Sequence, residues 1–207
     1  YLWVSIFLAC ANISLTILSS SIVAYAFARM EWPGKRICFV LLLSTLMIPA
    51  QVTMIPQFII FKSLGWYNTL FPLWVPSMFG NAFFVFLLVQ AMKGIPKDLT
   101  DAAKIDGCGF LRTYWNVILP NVRPALAAVA IFTFMGSWNN FMGPLIYVND
   151  QRLYNLALGL FSFQLQSGGS FSLLMAGSLI MVAPVLVIFF LAQRYFIQGV
   201  VMSGVKG

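Results

Sequence analysis

The sequence predicts an all-α protein, a polytopic transmembrane helical bundle, and three observations predict it. Hydrophobic residues make up 61% of the 207 residues and charged residues only 8%, too few to solvate a water-soluble fold. Five stretches, at about 3–28, 38–61, 71–92, 123–148 and 172–196, stay apolar over roughly the 20 residues a helix needs to cross a bilayer. They are continuously apolar rather than alternating, which argues against a β-barrel. Finally, the cations are unevenly placed. Arg29, Lys35 and Arg36 follow the first stretch, Lys93, Lys97, Lys104, Arg112 and Arg123 follow the third, and Arg194 and Lys206 follow the last. Only Lys62 and Arg152 occupy the alternate loops.

That bias places the basic loops and the C-terminus in the cytoplasm and the N-terminus outside. The net charge of +7 therefore reports membrane topology, and a nucleic-acid partner has no support. The chain opens at Tyr1 and enters a span almost at once. An earlier span, missing from this sequence, would start in the cytoplasm and make the number of spans even. Cys10, Cys38 and Cys108 are scattered, so a disulfide framework is not expected.

The first span carries Asn12, Ser14, Thr16 and the run Ser19, Ser20 and Ser21. Small hydroxylated residues let helices approach and exchange hydrogen bonds, although Asn12 or Thr16 facing an aqueous path is the alternative. Pro33-Gly34 centres a tight turn. Pro49 and Pro56 predict a second span that is kinked or partly unwound, with Gln51, Thr53 and Gln57 nearby. A short outer loop over 62–71 holds Trp66 and Tyr67, suited to the interfacial belt. The third span contains Pro76, Gly80, Asn81 and Gln90. In the fourth, Gly136, Asn139, Asn140, Gly143 and Pro144 weaken a continuous helix. Asp150 and Arg152 mark the next outer loop and 167–170 a Ser/Gly tip. The last span has Gly177 and Pro184 and ends in a glycine-punctuated tail.

Several chemistries are missing. The acidic residues are Glu31, Asp98, Asp101, Asp106 and Asp150, all assigned to loops, and there is no His. A proton relay needs a titratable group at membrane depth, and none is present. Sodium coupling through carbonyls and hydroxyls stays open. There is no G-x-x-x-x-G-K-[ST] phosphate loop, no zinc-ligand cluster and no Ser-His-Asp arrangement. The chain thus has no catalytic residue, no metal site and no cofactor of its own, and energy for work must come from elsewhere.

The long polar interruption at about 94–122 predicts a cytoplasmic helix-turn-helix within an otherwise single transmembrane domain. Pro96 suits a first helical turn, and Asp98 and Asp101 lie where the positive end of the helix dipole favours them. Gly107 is placed to stop the helix. Leu99, Ala102, Ala103 and Asp106 project onto one face, where the two alanines leave a shallow spot for another surface. In the second helix, Phe110, Leu111, Tyr114 and Trp115 are expected to pack beneath the first and against the ends of the spans.

DAAKIDG at 101–107, followed by ILP at 118–120, resembles the E-A-A-x-x-D-G…L-P coupling motif of ABC importer permeases. The stretch NTLFPLWVPSMFGNAFFVFLLVQAMKGIPKDL before it, SWNNFMGPLIY after it and the terminal QRYFIQGVVMSGVKG are similar to the maltose-type carbohydrate permeases. The likeness runs from about Ala24 to Gly207.

The resemblance implies the type I ABC importer fold, with six spans in the intact subunit. It implies a second permease subunit, a dimer of cytoplasmic ATPase subunits that hold ATP and Mg, and an extracytoplasmic sugar-binding protein. Asp101, Ala102, Ala103, Asp106, Gly107 and Leu99 would then contact the ATPase, with Gly199 and Gly204 of the tail as further contacts. Asp101 stands where the motif has Glu, so an ion pair made by its shorter side chain is closer or weaker.

Amides and aromatic faces bind sugars, which makes Gln51, Thr53, Asn81, Trp138, Asn139 and Asn140 candidates for the substrate pathway, packing between helices being the alternative. Competing readings are an ion-coupled secondary carrier, a scaffold that recruits an enzyme, and an ABC permease for a non-sugar solute such as a glycerol phosphate.

Overall fold

A computed structural model of the chain describes residues 1–165 and 171–191 in full, and 166 and 192–204 as helix backbone. The 167–170 tip and the contacts expected of Gly199 and Gly204 lie outside the fully described residues. The order is α1 (Leu2–Arg29), α2 (Lys35–Ser44), α3 (Ala50–Ser63), α4 (Phe71–Trp74), α5 (Ala82–Lys93), α6 (Lys97–Ile105), α7 (Phe110–Thr113), α8 (Leu119–Asn121), α9 (Arg123–Trp138), α10 (Met142–Tyr147), α11 (Leu156–Gln166) and α12 (Phe171–Gly204). No strand occurs among the described residues. Helices over Leu2–Arg29, Phe71–Lys93 and Phe171–Leu191 are long and apolar enough to span a membrane, as are the bent pairs Lys35–Met47 with Ala50–Ser63 and Phe110–Asn121 with Arg123–Trp138. Cys10, Cys38 and Cys108 are free thiols.

The breaks follow local chemistry. Ile48 is extended (φ −84°, ψ 116°), as expected of a residue preceding a proline, and the second span is interrupted there. Pro56, in contrast, is accommodated inside α3. The third span breaks at Gly80-Asn81, and the Asn81 carboxamide oxygen then accepts from the amides of Phe83 and Phe84 to cap α5. The fourth span is broken where its polar run lies: α9 stops at Trp138 and α10 resumes at Met142. Residues 139–141 interrupt the helix because Asn140 Oδ1 accepts from Gly143 N instead of continuing the backbone ladder. Helix α11 occupies sequence read as outer loop. Asn155 starts it, with Oδ1 accepting from Leu158 N at 3.0 Å.

The chain divides into two compact units. One comprises Tyr1–Ser14, Ala50–Pro76 and the residues from Ala130 onward. There Asn12 Nδ2 donates to Leu73 O and Ser137 Oγ, so its amide serves packing. Asn68, with φ 58°, accepts from Asn149 N and Asp150 N through Oδ1 and ties its own turn to the end of α10. Phe58, Phe61, Trp66 and Tyr147 form an aromatic cluster at that end. The other unit comprises Leu15–Pro49 and Ser77–Val129. Its core gathers Ala24, Val85, Leu88, Val89, Met92 and Ile118 with Tyr114, and it contains the helix-turn-helix.

Candidate functional site

Helix α6 starts after Pro96, which is the residue preceding the helix and not part of its first turn (φ −54°, ψ 139°). Its end is a full Schellman arrangement: Cys108 N donates to Ala103 O at 2.9 Å and Gly107 N to Lys104 O at 3.0 Å. That closure needs a left-handed residue, and Gly107 supplies it with φ +76°. No heavy atom lies within 4 Å of a Cβ built there, so the glycine is required by conformation and not by crowding. Thr113 N donates to Gly109 O at 2.9 Å and opens α7, which passes into a π-helical turn over Tyr114–Ile118.

The side chains sort differently from the helical projection. Ala103 is 6% exposed and packs inward with Thr100, while Leu99, Ala102 and Asp106 face outward. The reason is the stride of α6: residues 100 and 103 share the edge toward the rest of the unit, which moves Ala103 off the outer face. In the second helix only Tyr114 packs as expected. Phe110, Leu111 and Trp115 are exposed at 63%, 75% and 56%, and Ile105 at 87%. The helix-turn-helix thus exposes an apolar rim of Leu99, Ile105, Phe110 and Leu111 together with the small Ala102. Asp101 pairs with Lys104 at 3.1 Å, both well exposed, a surface pair of little stabilising value.

Two contacts hold this element to α1. Arg29 Nη2 donates to Met92 O and to Ile95 O, each at 2.6 Å. Met92 O lies in the last turn of α5, where a cation is favoured by the helix dipole, and Ile95 O lies between α5 and α6. On the far side, the hydroxyls of Tyr114 and Ser21 share a 2.7 Å hydrogen bond. Helix α1 therefore grips both the entry to α6 and the exit from α7. Sequence reading missed the part played by Arg29, which is visible there only as one more cation closing an apolar run, because no local spacing links residue 29 to 92 and 95.

The proposed pathway residues are distributed over both units. Asn81 is the cap of α5 and belongs to the same unit as the helix-turn-helix. Gln51 and Thr53 lie on α3, Gln51 exposed and Thr53 Oγ1 bonded to Ala50 O. Trp138 is 2% exposed, stacks on Phe134 at 5.3 Å and donates from Nε1 to Met181 O at 2.9 Å. Asn140 spends Oδ1 on Gly143 N and its carbonyl on Asn155 Nδ2. Asn139 is exposed, with Nδ2 on Met135 O, and lines a shallow 330 Å³ cavity with Phe141, Phe161 and Gln164. Trp138→Phe is expected to leave the KM for transport unchanged and to lower stability by about 1 kcal/mol, the value of one hydrogen bond. Thermal unfolding in detergent together with uptake titration checks this, and a raised KM would return Trp138 to the pathway.

The family model described as "Binding-protein-dependent transport system inner membrane component" matches residues 4–201. The chain is 37% identical over 205 residues to the arabinooligosaccharides transport system permease protein AraQ of Halalkalibacterium halodurans, covering 99% of this chain and 72% of that protein. It is 32% identical over 201 residues to the lactose transport system permease protein LacG of Rhizobium radiobacter, covering 97% and 73%. Among solved structures, it is similar to a chain of a bacterial ABC transporter involved in the import of the acidic polysaccharide alginate. That match has a TM-score of 0.82 at 22% identity, covers 93% of this chain and 73% of that one, and shows the shared fold. With the multi-pass apolar helices and the family match over nearly its whole length, the chain belongs to the inner-membrane permease components of binding-protein-dependent ABC transport systems.

Proposed function

We propose that this chain is the transmembrane permease subunit of an ATP-driven importer for a sugar or oligosaccharide delivered by an extracytoplasmic binding protein. The observation that carries the reading is the closed turn at Gly107, which presents Leu99, Ala102, Asp106 and Ile105 outward on an element anchored from both sides. An ordered helix with an apolar rim in the most basic loop fits a separate cytoplasmic ATPase better than it fits water. The names of relatives, for arabinooligosaccharides and lactose, support a carbohydrate substrate.

On this reading ATP and Mg are held by the ATPase dimer, and a second permease subunit completes the pathway. Docking at 97–107 biases one of two states of the permease pair, so ATP binding and hydrolysis alternate its access. Asp101, Ala102, Asp106, Gly107 and Leu99 make or shape the outer contact, while Ala103 packs the helix from beneath. Exposed Gln51 and Asn139 are the pathway residues we retain. Basic loops and the C-terminus face the cytoplasm.

The test is purification of the full-length protein from its native membrane in mild detergent, with partners identified by mass spectrometry. We expect an ATPase and a second permease to be recovered together, and a co-isolated binding protein to reveal the sugar class. A homo-oligomer without any ATPase, under conditions that keep known complexes intact, would instead favour an ion-coupled carrier.

A further inference from the structure

A 640 Å³ groove lies where the end of α1, the 30–36 turn and the end of α5 meet, lined by Phe27, Trp32, Lys35, Arg36, Phe39 and Lys93, with Glu31 at its edge. Three cations face one carboxylate. Glu31 turns outward, 90% exposed, and pairs with Lys35, which also donates to Met30 O at 2.7 Å. No ion pair forms at Arg36 or Lys93 among the described residues. Lys93 Nζ stands 5.8 Å from the Phe39 ring centroid. The wall is aromatic, with Phe27 packed on Trp32 at 5.6 Å and on Phe39 at 5.3 Å.

These cations close the apolar run of α5 and open that of α2, so they stand at the boundary between hydrocarbon and water. From the groove, α2 leads away with Ile37, Val40 and Leu41 exposed at 67%, 56% and 61%. Their i, i+3, i+4 spacing makes one continuous apolar stripe. Unpaired cations at one end and a hydrocarbon track at the other match an amphiphile with an anionic head. A peptide carboxylate or a free anion would use the cations and leave the stripe bare.

We propose that the groove binds an anionic phospholipid, its phosphate held by Arg36 and Lys93 with help from Lys35, and an acyl chain laid along Ile37, Val40 and Leu41. Arg36 contributes a fork of donors to the phosphate oxygens and Lys93 a compact charge. The aromatic wall lowers the local dielectric and strengthens both contacts. The proposal requires only that the chain lies in a membrane and does not depend on which solute is carried.

The experiment uses the full-length protein in its assembled complex, stripped of loosely held lipid and equilibrated with mixed micelles of phosphatidylglycerol and phosphatidylcholine. Native mass spectrometry then counts the lipids retained. We expect selective retention of phosphatidylglycerol that millimolar inorganic phosphate does not displace. The preference should fall about fivefold in Arg36→Gln and roughly 30-fold in Arg36→Gln/Lys93→Gln, as each cation near the surface is worth about a fivefold change. Ile37→Ser/Leu41→Ser, which keeps every charge, should weaken retention of both lipids. Equal retention in wild type and variants would overturn the proposal. So would displacement by inorganic phosphate, which would mark a simple anion site, or a groove that takes no lipid in the assembled complex.

Discussion

Uptake by a Gly107→Val transporter is expected to fall at least roughly tenfold, with membrane insertion and assembly of the permease pair retained. Gly107 sits at φ +76° and closes α6 through the Cys108–Ala103 and Gly107–Lys104 backbone bonds. A left-handed L-residue costs about 1–2 kcal/mol, and a β-branched one more. Since 1.4 kcal/mol is a factor of ten, the turn reopens in a large share of molecules. The outer rim formed by Leu99, Ile105 and Phe110 then loses its fixed spacing. Gly107→Asn is the discriminating control, because Asn tolerates the left-handed region; it should retain most uptake. The site is open around a Cβ, so simple steric damage does not explain a loss. Binding-protein-dependent uptake and the ATPase rate are to be measured together. Normal uptake in Gly107→Val would show that this turn does not carry the coupling.

Arg29→Met is expected to separate ATP hydrolysis from transport. Its guanidinium makes the two 2.6 Å bonds that fix the stretch between α5 and α6 to α1, directly before the proposed coupling segment. Hydrogen bonds to charged groups contribute roughly 1.5–3 kcal/mol each, so removal frees two buried carbonyls and loosens the root of α6. The Tyr114–Ser21 bond still holds the other side, so the unit should fold with a lowered unfolding temperature. We expect transport per ATP hydrolysed to drop several-fold, in keeping with a coupling change of about 1 kcal/mol. Arg29→Lys, which keeps a donor, should restore part of it. A variant that loses stability yet keeps its full transport-to-hydrolysis ratio would assign Arg29 to folding alone.

The membrane class, the approximate spans and the turn glycine were legible in sequence because each depends on residues close together in the chain. Hydropathy over about 20 residues reports a span. A Pro reports where the ladder must fail, as at Ile48, and a Gly after a short acidic helix reports a left-handed stop. Some local readings went astray where several local signals competed. Asp150, Arg152 and the Ser/Gly tip suggested a loop through what became α11, because the Asn155 cap was overlooked. The weakening expected at 139–140, in contrast, is met: the helix breaks there, with Asn140 Oδ1 accepting from Gly143 N. Ala103 was grouped with the outer face from a helical projection that does not say which edge meets the rest of the unit.

Composition and charge order determined by themselves a multi-pass helical membrane protein with an ordered element in its most basic loop, and the DAAKIDG motif with its flanks carried the resemblance to ABC importer permeases. Only tertiary structure decided which of that element's residues face outward. It also decided that Trp138 and Asn140 spend their polar atoms on neighbouring backbone, and that Arg29 and Ser21 hold the element from α1. The physical reason is separation along the chain. Helical period and turn preference act over a few residues, whereas the partners of Arg29 lie 63 and 66 positions away and that of Ser21 lies 93 away. Packing alone brings them within hydrogen-bond reach.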